Sequence, residues 1–140
     1  MIVVIDTNAL LPTLCTTHPF HVIFQAWARG EFAWALTTEA MLEYEEIARP
    51  RLGDLRWNHF TRILERVGRR HKNVIHIAPT FRFRTITHDA DDDKFADCAI
   101  TAEADYIITE DRHFQALIGS GYKPRPITPE EFLRRHLSGS

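Results

Sequence analysis

Cysteine is scarce in this 140-residue chain: Cys15 and Cys98 lie 83 positions apart, which is not the dense spacing of a small secreted domain stapled by disulfides. A reduced, cytosolic protein is expected. Long apolar runs are missing too. The longest, such as Ile2 to Ile5, fall far short of the roughly 20 residues of a membrane span, and Met1 leads into that run without the basic segment that opens a secretory leader. No membrane or secretion signal is expected. Internal repeats, linkers and low-complexity stretches are also lacking. At 16.3 kDa the chain has room for one core but not two, so we expect a single domain over residues 1–137 and a short flexible tail at 138–140. Hydrophobic residues at 44% and charged residues at 26% are near globular averages, which excludes disorder, collagen-like repeats and a coiled coil.

An excess of charge of one sign is absent overall, with 17 basic and 19 acidic residues giving a net charge of −2. The balance is local. Between Arg49 and Arg84 stand ten Lys or Arg against only Asp54 and Glu65, leaving seven basic and seventeen acidic residues elsewhere. After folding, one surface suits cations and another suits polyanions.

The β-branched run Ile2-Val3-Val4-Ile5 reads as a strand buried on both faces and stops at Asp6-Thr7-Asn8. Helical spacing follows from Phe20 to Arg29 with Gly30 as its stop, then a short strand from Phe32 to Leu36. Thr37 or Thr38 can cap a helix that carries Glu43 and reaches about Arg49, with Pro50 just beyond it. A further helix, about Trp57 to Arg70, buries Trp57, Phe60, Ile63, Leu64 and Val67 and leaves Arg62, Arg66, Arg69 and Arg70 outside. Val74 to Ile77 reads as a strand, Pro79 to Asp91 as a loop, Asp91 to Glu103 as a helix and Tyr106 to Thr109 as a buried strand. A helix from Arg112 to about Ile118, a strand near Pro126 fit only for a sheet edge, and a helix capped by Thr128 with Pro129 at its first position complete the chain. Such alternation implies a three-layer α/β/α sandwich on a mostly parallel sheet of about four to five strands. In such sheets ligands bind outside the carboxyl ends of the strands.

Four acidic elements bear on chemistry: Asp6 in VVIDTN, Glu43 in MLEYEEI, the run DADDDKFADCA with Asp89, Asp91, Asp92, Asp93 and Asp97, and Asp111 in IITED. Asp6 and Asp111 fall at strand ends, and the aspartate run at a helix start, where the helix dipole favours negative charge. Asp93 and Asp97 are i,i+4 neighbours whose repulsion a bound cation would relieve. Oxygen ligands without Cys or His suit Mg²⁺ or Mn²⁺ rather than zinc, and such ions activate water and stabilise phosphoryl oxygens, which suggests phosphodiester hydrolysis. Any one of these acids taken alone reads as well as a helix cap or a turn residue.

Taken together, the opening strand ending in DTN, EYEEI followed by RP, the DxDDxKFxDCA helix, ADYIITED and the closing TPEEFL resemble the PIN-domain family over nearly the whole chain. The match is to its VapC-like branch, the toxin components of type II toxin–antitoxin systems. The resemblance implies a Mg²⁺- or Mn²⁺-dependent endoribonuclease cutting single-stranded RNA, with Asp6, Glu43, Asp93 and Asp111 as its metal-binding and catalytic quartet. Related sequences often carry Asn at the position of Asp93 and acids at those of Asp92 and Asp97, so all three stay candidates for the helix ligand. Asn8 would orient Asp6 or a water, unless it is a plain turn residue, and Thr109 would hydrogen-bond near Asp111. The resemblance also implies an antitoxin partner, and a homodimer is plausible on the frequency of two-fold oligomers.

Weaker signals remain. Cys15, His18 and His21 are zinc-ligand types, but Pro19 interrupts their spacing and no fourth ligand is near. Arg62, Arg66, Arg69 and Arg70 either bind an RNA backbone or form an ordinary solvated face. Phe81-Arg82-Phe83-Arg84 reads equally as an edge strand, a docking segment or an RNA-facing loop. Two other functions compete. Phosphatases of the DxDxT type need an acid where Asn8 stands, and receiver domains need a late-strand Lys that is not evident, which disfavours phosphotransfer; a non-catalytic RNA-binding module is excluded only by an activity assay.

Overall fold

The computed structural model describes residues 1–78, 83 and 90–137, without the side chains of 90–92. Five strands, β1 (Ile2–Ile5), β2 (Ala33–Leu36), β3 (Val74–His76), β4 (Tyr106–Ile108) and β5 (Arg125–Ile127), form one sheet in the order β3-β2-β1-β4-β5. Every pairing is parallel. The helices are α1 (Thr7–Thr13), α2 (His21–Ala28), α3 (Thr38–Leu52), α4 (Asp54–His71), α5 (Ala90–Thr101) and α6 (Pro129–His136), with a 3₁₀ helix at Arg112–Leu117. This is the α/β architecture expected, with a parallel sheet of five strands.

The central strands are the most apolar ones. Val3, Val4, Ile107 and Ile108 have no exposed surface, as a strand covered on both faces requires. Helix α3 begins where Thr37 Oγ1 accepts the Ala40 N–H at 3.0 Å, an N-cap that replaces a missing backbone partner. Helix α4 buries Trp57, Phe60 and Leu64, each worth roughly 1.5–3 kcal/mol of apolar burial. Helix α5 is enclosed all round from Phe95 to Ile100, Asp97 included. Thr128 Oγ1 accepts the Glu131 N–H at 3.1 Å at the start of α6, with Pro129 in its first turn. Strand β5 is an edge, as Pro126 demands, and Pro126 lies opposite Ile107.

Four local expectations are corrected. Helix α1 follows Asp6 directly and carries Pro12 inside it; a seven-residue helix that contains a proline has too little periodicity to read. Pro50 lies inside α3 rather than beyond it. In the last turn it forfeits one backbone bond, and the helix closes two residues later with Gly53 N–H on Arg49 O at 2.8 Å. Gly53, at φ 86°, lets α4 start at once with Asp54, three residues earlier than expected. The helix expected after Asp111 is a 3₁₀ helix. The loop expected over Pro79 to Asp91, the Phe81-to-Arg84 segment apart from Phe83, and the tail at 138–140 lie outside the described residues.

Candidate active site at the carboxyl ends of the strands

Asp6 leaves the carboxyl end of β1 and stands at the N-cap position of α1 with extended backbone, φ −64° and ψ 145°. Its N–H donates to Ile108 O at 3.0 Å, which places it beside the end of the neighbouring β4. From there Thr109 Oγ1 donates to Asp6 Oδ2 at 2.8 Å and accepts the Asp111 N–H at 3.0 Å. One hydroxyl thus links the Asp6 carboxylate to the backbone of Asp111. Asp111 in turn caps the 3₁₀ helix, Oδ1 accepting the His113 N–H at 2.9 Å.

Glu43 comes from α3. Its Oε2 accepts the Thr7 hydroxyl, and its Oε1 accepts Lys94 Nζ of α5 at 2.9 Å in a pair with side-chain exposures of 16% and 19%. The next residue, Tyr44, is fully buried and donates its hydroxyl to Ile5 O. That bond locks α3 onto β1 one residue before Asp6. Burial holds the Tyr44 phenol well above its ordinary value.

Asp6 is 4% exposed, and burial pushes its carboxyl above the usual range. The Thr109 hydroxyl pulls it back, the nearby Glu43 and Asp111 carboxylates push it up further, and the Asn8 backbone N–H opposes them weakly. Asp6, Glu43 and Asp111, distant in sequence, therefore act within one electrostatic field.

The remaining expected residues are placed as follows. Asp93 is half-buried in the first part of α5. Asp97 is buried with Oδ1 accepting the Phe83 N–H at 2.9 Å, so at least one of its oxygens serves the backbone. The Asp92 side chain and Asp89 lie outside the described residues. The Asn8 side chain is exposed, and its backbone, not its amide, interacts with Asp6. Two participants escaped the sequence reading, Thr7 and Lys94. Both are immediate neighbours of acids already singled out, and a lone cation inside an aspartate run was the available signal.

The donor set suits a hard divalent cation in its chemistry, offering only oxygens and a buried carboxyl strained by two like neighbours. As the side chains stand, no group of three or more His, Cys, Asp or Glu among the described residues could hold an ion. Both oxygens of Glu43 are engaged, by Thr7 and by Lys94. The same holds for the zinc pattern: His18 Nδ1 accepts the Phe20 N–H at 3.0 Å, His21 Nδ1 bonds Thr13 O at 2.7 Å, and Cys15 is exposed. Arg62, Arg66, Arg69 and Arg70 are exposed on α4, whereas Trp57 and Phe60 belong to the core.

Fold and site define an α/β domain with acidic side chains gathered at the carboxyl ends of a parallel sheet. The sequence profile of the PIN domain matches residues 2–113, and the chain belongs to the PIN-domain family. PIN domains are generally nucleases that typically use divalent metals, so a nucleic-acid substrate is the family expectation. No curated protein and no solved structure matches the chain. Among the described residues no helix is long and apolar enough to cross a membrane.

Proposed function

We propose that this protein is a Mg²⁺- or Mn²⁺-dependent endoribonuclease acting on single-stranded RNA, the toxin of a type II toxin–antitoxin pair. The observation that carries the reading is that Thr109 links the Asp6 carboxylate to Asp111 while Glu43 of α3 is held by Thr7, the residue next to Asp6. Asp6, Glu43, Asp111 and an aspartate of α5 would hold the cation, Asp93 in the first instance with Asp92 and Asp97 as alternatives. A divalent cation there supplies positive charge to the phosphoryl oxygens and acidity to a water. The protein's own part is to place the acids. Thr109 fixes Asp6 and Asp111, Thr7 aims Glu43, and Tyr44 sets the height of α3. Within this carboxylate site the attacking water would be positioned and deprotonated, leaving a 5′-phosphate on the product.

RNA cleavage should need added Mg²⁺ or Mn²⁺ and stop in EDTA. Cleavage undiminished by chelator overturns the metal reading, and wild-type turnover by Asp6→Asn overturns the site. The antitoxin would insert an Arg or Lys among the carboxylates, forming charge-assisted hydrogen bonds; the Lys94 ammonium on Glu43 supports this, because a cation is already accommodated there. A homodimer would fit the same system. Expression alone and with the neighbouring reading frame tests it: growth arrest relieved by a co-purifying partner is expected, and harmless expression of an active enzyme with no partner removes the toxin role while leaving the nuclease.

A further inference from the structure

The basic face of α4 is not part of the acidic site. All five strands are parallel, so their amino ends share one edge of the sheet and their carboxyl ends the other. Helix α4 ends at His71 and feeds the amino end of β3 through Lys72 and Asn73. His71 lies against Gly30, where an added Cβ would come within 2.7 Å of its ring, and Gly30 precedes the amino end of β2. Arg69 and Arg70 therefore stand at the edge opposite Asp6 and Asp111, across strands that are about 13 Å long.

Four guanidiniums occupy a narrow strip of this helix. At 3.6 residues per turn, Arg62, Arg66, Arg69 and Arg70 fall within an arc of about 100°. With Glu65 they line a surface hollow of about 440 Å³ to which no other residue contributes among the described residues. Glu65 pairs with Arg69. Among the described residues Arg62, Arg66 and Arg70 have no ion-pair partner. Arg62, Arg66 and Arg70 follow one another at four-residue steps, a rise of about 6 Å each, comparable with the separation of successive phosphates along a nucleic-acid strand.

We propose that this strip is a second RNA-binding site that grips the phosphate backbone away from the point of cleavage. The inference rests on RNA being the substrate. A folded protein partner would be anchored by buried apolar and aromatic side chains, and none among the described residues lines the hollow. Amide and aromatic groups that would read base edges or stack on bases are also missing from its described lining, so the grip is indifferent to sequence. The site supplies affinity and holds the strand, while the distant carboxylates select the bond.

The test is binding of a uridine 20-mer in EDTA, so that no cleavage occurs, followed by fluorescence anisotropy over a range of salt. The triple variant Arg62→Gln, Arg66→Gln, Arg70→Gln should bind about tenfold or more weakly and lower the slope of log K against log salt by about 2, at roughly 0.7 per lost contact. Glu65→Gln, which removes the one acid of the hollow, should shift affinity in the opposite direction. Circular dichroism verifies that both variants fold. An unchanged slope in the triple variant overturns the second site whether or not the protein cuts RNA. Tighter binding of polyglutamate than of the uridine strand also overturns it, assigning the face to an acidic protein. Loss of cleavage in Asp6→Asn with the salt slope intact bears on the nuclease alone.

Discussion

The pair between Lys94 and Glu43 offers a quantitative test of how the acidic site is held. Its side chains are 19% and 16% exposed at 2.9 Å, between two measured regimes. Exposed pairs are worth about 0.2–1 kcal/mol, whereas removing one member of a fully buried pair costs about 3–5 kcal/mol. Lys94→Met keeps most of the stem but leaves Glu43 half-buried with only the Thr7 hydroxyl, and should cost about 2 kcal/mol. Glu43→Gln should cost less than that, because the amide oxygen still accepts the Thr7 hydroxyl and only the charge facing Lys94 is lost. The double variant should lose less than the two singles together, by about 1–2 kcal/mol, because no Glu43 charge is then left half-buried without its cation. Urea melts of the four proteins in EDTA give this coupling. Repeating them with Mg²⁺ gives a second readout: if the cation must take Glu43 from Lys94, Mg²⁺ should stabilise Lys94→Met more than wild type. A coupling below about 0.3 kcal/mol, or equal Mg²⁺ responses, refutes the reasoning.

Asp6 titrates above the ordinary carboxyl value of 3.8 in the folded protein, so its contribution to stability is present at low pH and is lost as pH rises through the folded-state value. Asp6→Asn removes that loss, and in EDTA its stability relative to wild type should increase between about pH 4 and pH 7; urea melts giving the same difference at both pH values contradict this. Tyr44→Phe removes the hydroxyl donated to Ile5 O and should cost about 1–3 kcal/mol by thermal or urea unfolding. Gly68→Ala places a Cβ 2.9 Å from Val74 Cγ2 and 3.1 Å from its Cβ. The stiff Val74 side chain should turn the usual helical gain of about 1 kcal/mol into a net loss of similar size, and the same substitution beside Val74→Ala should be stabilising.

Much of this architecture could be read from residues because the signals were local and concordant. Four β-branched residues before Asp6, Gly30 at positive φ, Thr37 and Thr128 as caps and Pro126 on an edge each state a backbone preference that the fold obeys. The strand-end placement of Asp6 and Asp111 followed from the same reading. Helix α1 was missed because its seven residues include Pro12, and α3 was ended too early because Pro50 costs less in a last turn than in a helix interior. The site was harder still. Its composition in acids was visible, but Lys94 and Thr7 enter through contacts 51 and 36 positions from Glu43, and no periodicity encodes such a pairing. Asp97 adds a contact of the same kind, its Oδ1 holding the Phe83 N–H fourteen positions away.

Pro126 has a directional consequence. Arg125 N–H donates inward to Asp105 O at 3.2 Å, and Ile127 O accepts the Thr109 N–H at 2.9 Å, so residues 125 and 127 turn their backbone groups toward β4. Residue 126 alternates with them and faces away, which is the one place in β5 where a missing N–H costs the sheet nothing. A foreign strand approaching that border finds no donor where it needs one. At the far border, Asn73 O and Ile77 N–H are spent on β2, leaving Val74 and His76 to present their backbone groups outward. The sheet is thus polar across its width, sealed to strand addition on one side and offering a template only two residues deep on the other.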